Sequence, residues 1–234
     1  MISDKTNAVR TFFDRIAPQR DKWIKKAWYY QKQLVHLFQF LIPAGSQVLE
    51  IGCGTGELLS HIAPTTGTGI DISPISIKRA KAKYPQLKFI TGDAQNLCES
   101  RIFDYVVLCD TIGNLEDVQG AFAQLGKVSD AHTRIIVSYY NYLWEPLIYL
   151  AEFLGLKMPQ LIQNWLTPSD IENLLDLSNL EVIKTGSQIL MPFYIPLLSD
   201  FVNRYLAGLP FFGWLCLVRY FVARQKPVQG VHND

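Results

Sequence analysis

Two hydrophobic periods alternate along the middle of this chain. Short apolar runs bounded by Gly, Asp, Ser or Pro fall near residues 47–51, 67–71, 87–91, 103–109 and 133–138, with helically spaced segments near 57–62, 74–83 and 117–127. The run Phe103-Asp104-Tyr105-Val106-Val107-Leu108-Cys109 is nearly all apolar, as expected of a strand covered on both faces. Strand–helix alternation predicts an α/β fold with a doubly wound, mostly parallel sheet. Ahead of it, Val9, Phe12, Phe13 and Ile16 recur at helical spacing until Pro18 breaks the run. A second helix is predicted from Asp21 to Leu41, carrying Trp23, Trp28, Tyr29, Leu34, Leu37 and Phe38. The expected organisation is a helical segment over residues 1–42 and an α/β domain over 43–234.

After the fifth strand the pattern changes. Tyr139-Tyr140-Asn141-Tyr142-Leu143-Trp144 is aromatic, and a helix is predicted from Glu145 to Leu156. Thr167-Pro168-Ser169-Asp170 is a strong helix start, and a sixth strand is expected from Glu181 to Leu190. Between Ile189 and Val222 the only charges are Asp200, Arg204 and Arg219, while Pro192, Pro196 and Pro210 divide the segment. No uninterrupted apolar run there reaches the ~20 residues that span a bilayer. The tail from Lys226 to Asp234 is expected to be loose.

Composition narrows the partners. The 234 residues include 22 basic and 21 acidic ones, a net charge of +1, so no strong nucleic-acid field is expected. Cys53, Cys98, Cys109 and Cys216 form no CxxC pair and no metal spacing. Reduced thiols in a cytoplasmic protein are the simplest reading, and the polar N-terminus lacks the apolar stretch of a signal peptide. In the N-terminal helices, basic residues exceed acidic ones, which reads either as a solvated face or as a surface for anionic lipid.

The chemistry concentrates at the strand ends. In Val48-Leu49-Glu50-Ile51-Gly52-Cys53-Gly54-Thr55-Gly56, a strand closes on an acidic residue and three alternating glycines precede a helix. Such glycines permit a tight turn and close backbone approach to a ligand, so a nucleotide-like ligand is expected. The spacing is GxGxG, not the GxGxxG of dinucleotide folds. Asp71 ends the second strand, where an acidic side chain accepts hydrogen bonds from ribose hydroxyls; Ser73-Pro74 is the better helix cap. Asp93 follows the third strand, and Asp110 to Asn114 lie at the mouth of the fourth.

This order of strand ends resembles the class I S-adenosylmethionine-dependent methyltransferases, of the type 11 and type 25 kind, over roughly residues 40–140. The resemblance implies seven strands, with an antiparallel last strand over Trp214–Ala223, an N-terminal helical cap over the cofactor cleft, and insertions at about 141–166 and 192–212. Its implied cofactor is S-adenosyl-L-methionine, held by Glu50, Gly52, Cys53, Gly54, Gly56, Asp71, Ile72, Asp93, Ala94, Cys109 and Asp110. Asp93 would take the adenine amino group and the next amide a ring nitrogen. Phe13-Asp14-Arg15-Ile16-Ala17-Pro18 resembles the leading segment of quinone-ring methyltransferases. Residues 141–223 resemble bacterial methyltransferases associated with lipid-linked glycan assembly, on Asn141-Tyr142-Leu143-Trp144-Glu145-Pro146 and Gln163-Asn164-Trp165-Leu166.

Methyl transfer from a sulfonium mainly requires donor and acceptor held in line, with a general base only where the acceptor must lose a proton. Candidates for that role are Asp110, Asn114, Tyr139 and Tyr140, with Glu116 and Asn141 nearby; the tyrosines read equally as a packed aromatic edge. Trp28, Tyr29, Tyr30 and Tyr142 are candidates for contact with the acceptor. His36 reads as a packing residue, and His61 and His132 have no visible chemical partner. No Asn-Pro-Pro-Tyr signature is present; Asp110-Thr111-Ile112-Gly113 holds its place, which argues against nucleic acid bases as acceptors.

The expected function is methyl transfer to a small, apolar or lipid-linked acceptor at oxygen or carbon. The alternative is a non-catalytic module that keeps the fold to bind cofactor or partner. Residues 192–212 carry more apolar surface than a hairpin insertion needs. They cover the core or a dimer interface, or they dock peripherally on a bilayer.

Overall fold

Each apolar run of the sequence becomes one strand of a single sheet in the computed structural model, which describes residues 3–227. The strands are β1 (Gln47–Ile51), β2 (Thr66–Asp71), β3 (Lys88–Thr91), β4 (Tyr105–Cys109), β5 (Arg134–Tyr140), β6 (Leu180–Gln188) and β7 (Val218–Gln225). Their order is β3-β2-β1-β4-β5-β7-β6, with β7 antiparallel to both neighbours. Strand order reverses between β1 and β4, so the helices leave opposite faces and a crevice opens at the carboxyl ends. This is the seven-stranded Rossmann-like fold expected from the sequence.

Three helices precede the sheet: α1 (Asp4–Ile16), α2 (Arg20–Lys26) and α3 (Trp28–Leu41). The others are α4 (Glu57–Ile62), α5 (Pro74–Lys83), α6 (Val118–Gln124), α7 (Glu145–Phe153) and α8 (Pro168–Leu177). Two short ones, α9 (Leu198–Phe201) and α10 (Pro210–Gly213), lie between β6 and β7, α9 running on as a π-helical turn over Val202–Leu206. Caps fall where the side chains allow. Ser73 accepts from the Ser76 N–H ahead of α5, and Thr167 with Asp170 forms a reciprocal capping box on α8.

The sheet is buried on both faces because its side chains alternate. Val106 and Leu108 join one cluster, with Phe103, Phe122, Ile171 and Leu175 of the α6–α8 side. Val107 joins the other, with Phe38, Leu59, Ile77 and Ile148 of the α3, α4, α5 and α7 side. That alternation also separates the two tyrosines of β5. Tyr139 packs into the first cluster, its ring 6.0 Å from Phe221 and nearly parallel to it. Tyr140 packs against the second.

Several boundaries differ from the sequence reading, each for a local reason. The helix predicted over 21–41 breaks at Ala27, whose ψ of 28° leaves the helical range. The break lets α2 follow the pairing of Asp21 with Arg79 and Lys83 while α3 runs along the sheet. β7 begins at Val218, not Trp214, because the intervening carbonyls are claimed by side chains. Asn141 Nδ2 donates to the carbonyls of Trp214 and Cys216, and Trp144 Nε1 donates to that of Leu215. β6 ends at Gln188, before the left-handed Ile189 (φ 65°). His36 is exposed and not a packing residue. Lys226 is tied to α8, its Nζ pairing with Asp176 at 2.7 Å; the rest of the predicted loose tail from residue 228 lies outside the described residues.

Candidate active site

The glycine turn after β1 is fixed by backbone geometry. Gly52, Gly54 and Gly56 all have left-handed φ, at 79°, 53° and 80°, a region open to glycine and costly for other residues. A Cβ on Gly52 would sit 2.3 Å from Thr111 Oγ1, and one on Gly54 would sit 2.9 Å from the Arg20 guanidinium. Thr111 in turn donates to the Ile51 and Cys109 carbonyls, which holds the ends of β1 and β4 together.

Asp71 joins this turn to the end of β2. Its Oδ2 accepts from the Gly54 N–H at 2.7 Å and its Oδ1 from the Ser73 N–H at 2.8 Å. Burial pushes its carboxyl above the usual range, opposed by those two N–H groups and by Arg20. Asp93, past β3, accepts from the Gln95 N–H at 2.9 Å.

These groups line one cavity of about 560 Å³ at the carboxyl edge of the sheet. Gly52, Gly54, Asp71, Ile72, Asp93 and Ala94 form the side next to the ends of β1, β2 and β3. Arg20, missed in the sequence, closes over the glycine turn, and its Nε is buried without a hydrogen-bond partner. Only its position after the Pro18 helix break set it apart in the sequence, since nothing in the spacing marks a side chain that folds back from another element.

The opposite side is built by α2, α3, the start of β4's loop, α7 and the β6–β7 connection. Tyr30 donates to Asp110 Oδ2 at 2.6 Å, while Asp110 Oδ1 is buried with no partner. Asp110 holds a left-handed φ of 51°, uncommon for a residue with a side chain. Burial raises its carboxyl above the usual range; the Tyr30 hydroxyl and Lys157 oppose the shift. Tyr140 lies beside Tyr30 with ring centres 6.1 Å apart, and Lys157 Nζ stands 5.1 Å over the Tyr140 ring while pairing with Glu152 at 3.2 Å. Trp28, Tyr29 and Asn114 also line this side, and Asn114 Oδ1 is another buried atom without a partner.

Other expected site residues lie elsewhere. Glu50 points into the interior, where its Oε2 accepts from the Leu59 N–H, and burial pushes its pKa up to about 8. Cys53 packs beneath Gly69, Gly56 packs against Phe89, and Cys109 lies behind the wall; these three, with Glu50, shape the cavity without lining it. Tyr139, read as a candidate base, faces the far side of the sheet because β5 alternates, so it does not reach the cavity. Tyr142 is exposed outside the cavity wall. Asn141 is committed to the Trp214 and Cys216 carbonyls. Glu116 lines the cavity but accepts from the hydroxyls of Ser3 and Thr6, which ties it to the start of α1. Among the described residues no cluster could hold a metal ion, and all four cysteines are free.

The methyltransferase domain family model matches residues 25–185, well over half of the chain. The chain belongs to that family. It is similar to a demethylmenaquinone methyltransferase of Chlorobaculum tepidum, 26% identical over 133 residues, or 52% of this chain and 55% of that one. It is also similar to a phthiotriol/phenolphthiotriol dimycocerosates methyltransferase of Mycobacterium leprae, 35% identical over 71 residues, 27% of this chain and 26% of that one. The chain thus spans about half of the first relative and a quarter of the second. In fold it matches the crystal structure of magnesium protoporphyrin IX methyltransferase from Synechocystis PCC 6803 with bound SAH. The TM-score is 0.67 at 20% identity, over 94% of this chain and 99% of that one. The fold of this chain is that of the class I S-adenosylmethionine-dependent methyltransferases.

The residues present fit that cofactor. The space above Gly54 would be filled by a Cβ, Arg20 Nε is left without a partner beside it, and Asp71 ends β2 on the cavity wall. A guanidinium there complements a carboxylate, and Asp71 complements ribose hydroxyls.

Proposed function

We propose that this methyltransferase uses S-adenosylmethionine to methylate a small apolar or lipid-like acceptor at oxygen or carbon, with Asp110 taking the acceptor's proton. When bound, the cofactor supplies a methyl group activated by its sulfonium. Gly52, Gly54, Asp71 and Asp93 hold it at one end of the cavity, Arg20 neutralises its carboxylate, and α1 and α2 exclude water. The acceptor occupies the aromatic end, between Tyr30, Tyr140 and Trp28.

Asp110 carries this reading. It lines the cavity, Tyr30 fixes one carboxylate oxygen, and the other is buried with no partner. A carboxylate so placed can accept a proton from a hydroxyl or an acidic carbon, a contribution of typically 10²–10⁴ in rate. The apolar, aromatic wall with few polar groups suits a ring-bearing or lipid-like molecule. The curated relatives named above, whose names specify demethylmenaquinone and phthiotriol or phenolphthiotriol dimycocerosates, support that substrate class.

Turnover to S-adenosylhomocysteine, measured with lipid extract, with aqueous metabolite extract and with neither, tests the proposal. Product is expected only with the lipid extract. Tight cofactor binding with no turnover in any fraction would instead favour a non-catalytic binding module.

A further inference from the structure

Large apolar side chains normally scatter singly over a protein surface. Here they gather around the cavity mouth from two distant parts of the chain. Along α7 and the turn after it, Leu147, Leu150, Phe153, Leu154 and Leu156 are exposed, Phe153 by 87%. Between β6 and β7, Phe193, Tyr194, Leu197, Phe201, Tyr205 and Phe211 are exposed, Leu197 by 86%. Residues from both groups, Leu147 and Leu156 with Phe193 and Tyr194, also line the cavity. The opening therefore passes through the apolar surface.

The β6–β7 connection is held firmly in place. Buried Asn203 accepts from the N–H groups of Leu190 and Met191 and donates to the Met191 carbonyl and the Tyr29 hydroxyl. Tyr194 packs 5.0 Å from Trp28 at the start of α3. Polar clasps inside and bare apolar groups outside describe a surface built to stay exposed, not a loop awaiting burial.

Basic groups border it. Lys22, Lys25 and Lys26 are exposed and share one face of α2, while Asp21, the one acidic residue of that helix, is engaged by Arg79 and Lys83. Lys26 donates to the Gly155 carbonyl, which sets the end of this basic face against the apolar turn after α7. Arg204 is exposed within the second group, where Asp200 accepts from Tyr29.

We propose that this apolar collar docks on a bilayer containing anionic lipid, so that the acceptor passes from the leaflet into the cavity. The inference rests on the reading of the aromatic end as the acceptor site. Apolar surface rimmed by basic groups is the signature of interfacial binding. No described helix is long and apolar enough to cross a membrane, and the docking proposed is peripheral. Two other occupants fit less well. An isologous pairing of two copies lays each basic rim near its own image, and a protein cover would close the cavity's mouth.

Co-sedimentation with vesicles tests this, using phosphatidylcholine alone and mixed with phosphatidylglycerol. The intact protein is expected to pellet with the mixed vesicles and less with the neutral ones. Phe153→Asp with Leu197→Asp removes two exposed collar residues outside the cavity. This pair is expected to reduce partitioning at least ~10-fold on both vesicles. Lys22→Glu with Lys25→Glu is expected to lose at least ~10-fold on mixed vesicles only. Both pairs keep wild-type affinity for S-adenosylhomocysteine by calorimetry, which separates a failure of docking from a failure of the methyltransferase reading. Wild-type protein that ignores both vesicles, or a collar variant that pellets like wild type, overturns the proposal. So does a wild-type dimer, seen by light scattering, that the collar variant converts to monomer.

Discussion

The two ends of the cavity are built by different physics. The end proposed for the cofactor is made largely of backbone: two left-handed glycines on its wall and a third behind them, a carboxylate held by two N–H groups, and strand ends fixed by the sheet. The acceptor end is made of side chains from α2, α3, α7 and the β6–β7 connection, with one strained aspartate at its centre. Backbone geometry leaves few residue choices, so the first end tolerates little change. A side-chain wall tolerates many apolar substitutions, so the second is free to be matched to a particular acceptor.

The largest effect is expected at Asp110. Asparagine tolerates the left-handed backbone and keeps the shape but cannot take a proton. Asp110→Asn is expected to lower kcat by ~10²–10⁴ with cofactor affinity unchanged, read from S-adenosylhomocysteine formation and calorimetry. Because burial raises the carboxyl of Asp110, its ionised form is lost as pH falls through that raised value. Wild-type activity is expected to drop on the acid side, and the pH profile of kcat checks it. An Asp110→Asn enzyme with wild-type turnover would break the division of roles.

At the backbone end, Gly54→Val is expected to cost more than ~100-fold in cofactor affinity. Its side chain would enter the space beside Arg20 and adopt a φ of 53° that a branched residue resists. Asp71→Ala removes only hydrogen bonds, each charge-assisted one contributing ~1.5–3 kcal/mol. A ten- to hundredfold loss of affinity is expected by calorimetry.

Glu50 yields a stability prediction. Its pKa is raised in the folded protein, to about 8 against an ordinary 4.5. The stabilisation carried by its neutral form is therefore complete below about 4.5 and is lost as pH rises through about 8. Glu50→Gln stays neutral and keeps an acceptor for the Leu59 N–H. Its stability relative to wild type is expected to grow by up to a few kcal/mol between about pH 5 and pH 9, read by chemical denaturation. The smallest effect belongs to Tyr139→Phe. The Tyr139 hydroxyl is buried without a partner, so its removal is expected to raise stability by about 1 kcal/mol and to leave activity unchanged.

The same contrast explains what was legible in the sequence. The glycine turn, Asp71, Asp93 and the strand order could be read because local backbone demands select residue types at fixed spacing. Tyr139 and Tyr140 could not be told apart as types, yet the period of two in β5 sends one into the core and the other toward the cavity. Arg20 and Lys157 reach the cavity from elements far apart in sequence, and no local pattern records such a meeting. The late start of β7 depended on side chains, Asn141 and Trp144, that claim backbone carbonyls from 70 or so residues away.

The most direct test of this division is calorimetric titration with S-adenosylhomocysteine of three proteins: wild type, Asp71→Ala, and the Phe153→Asp with Leu197→Asp pair. A ten- to hundredfold weaker affinity is expected in Asp71→Ala, with wild-type affinity in the collar pair. Unchanged affinity in a folded Asp71→Ala protein, or an equal loss in the collar pair, would contradict it.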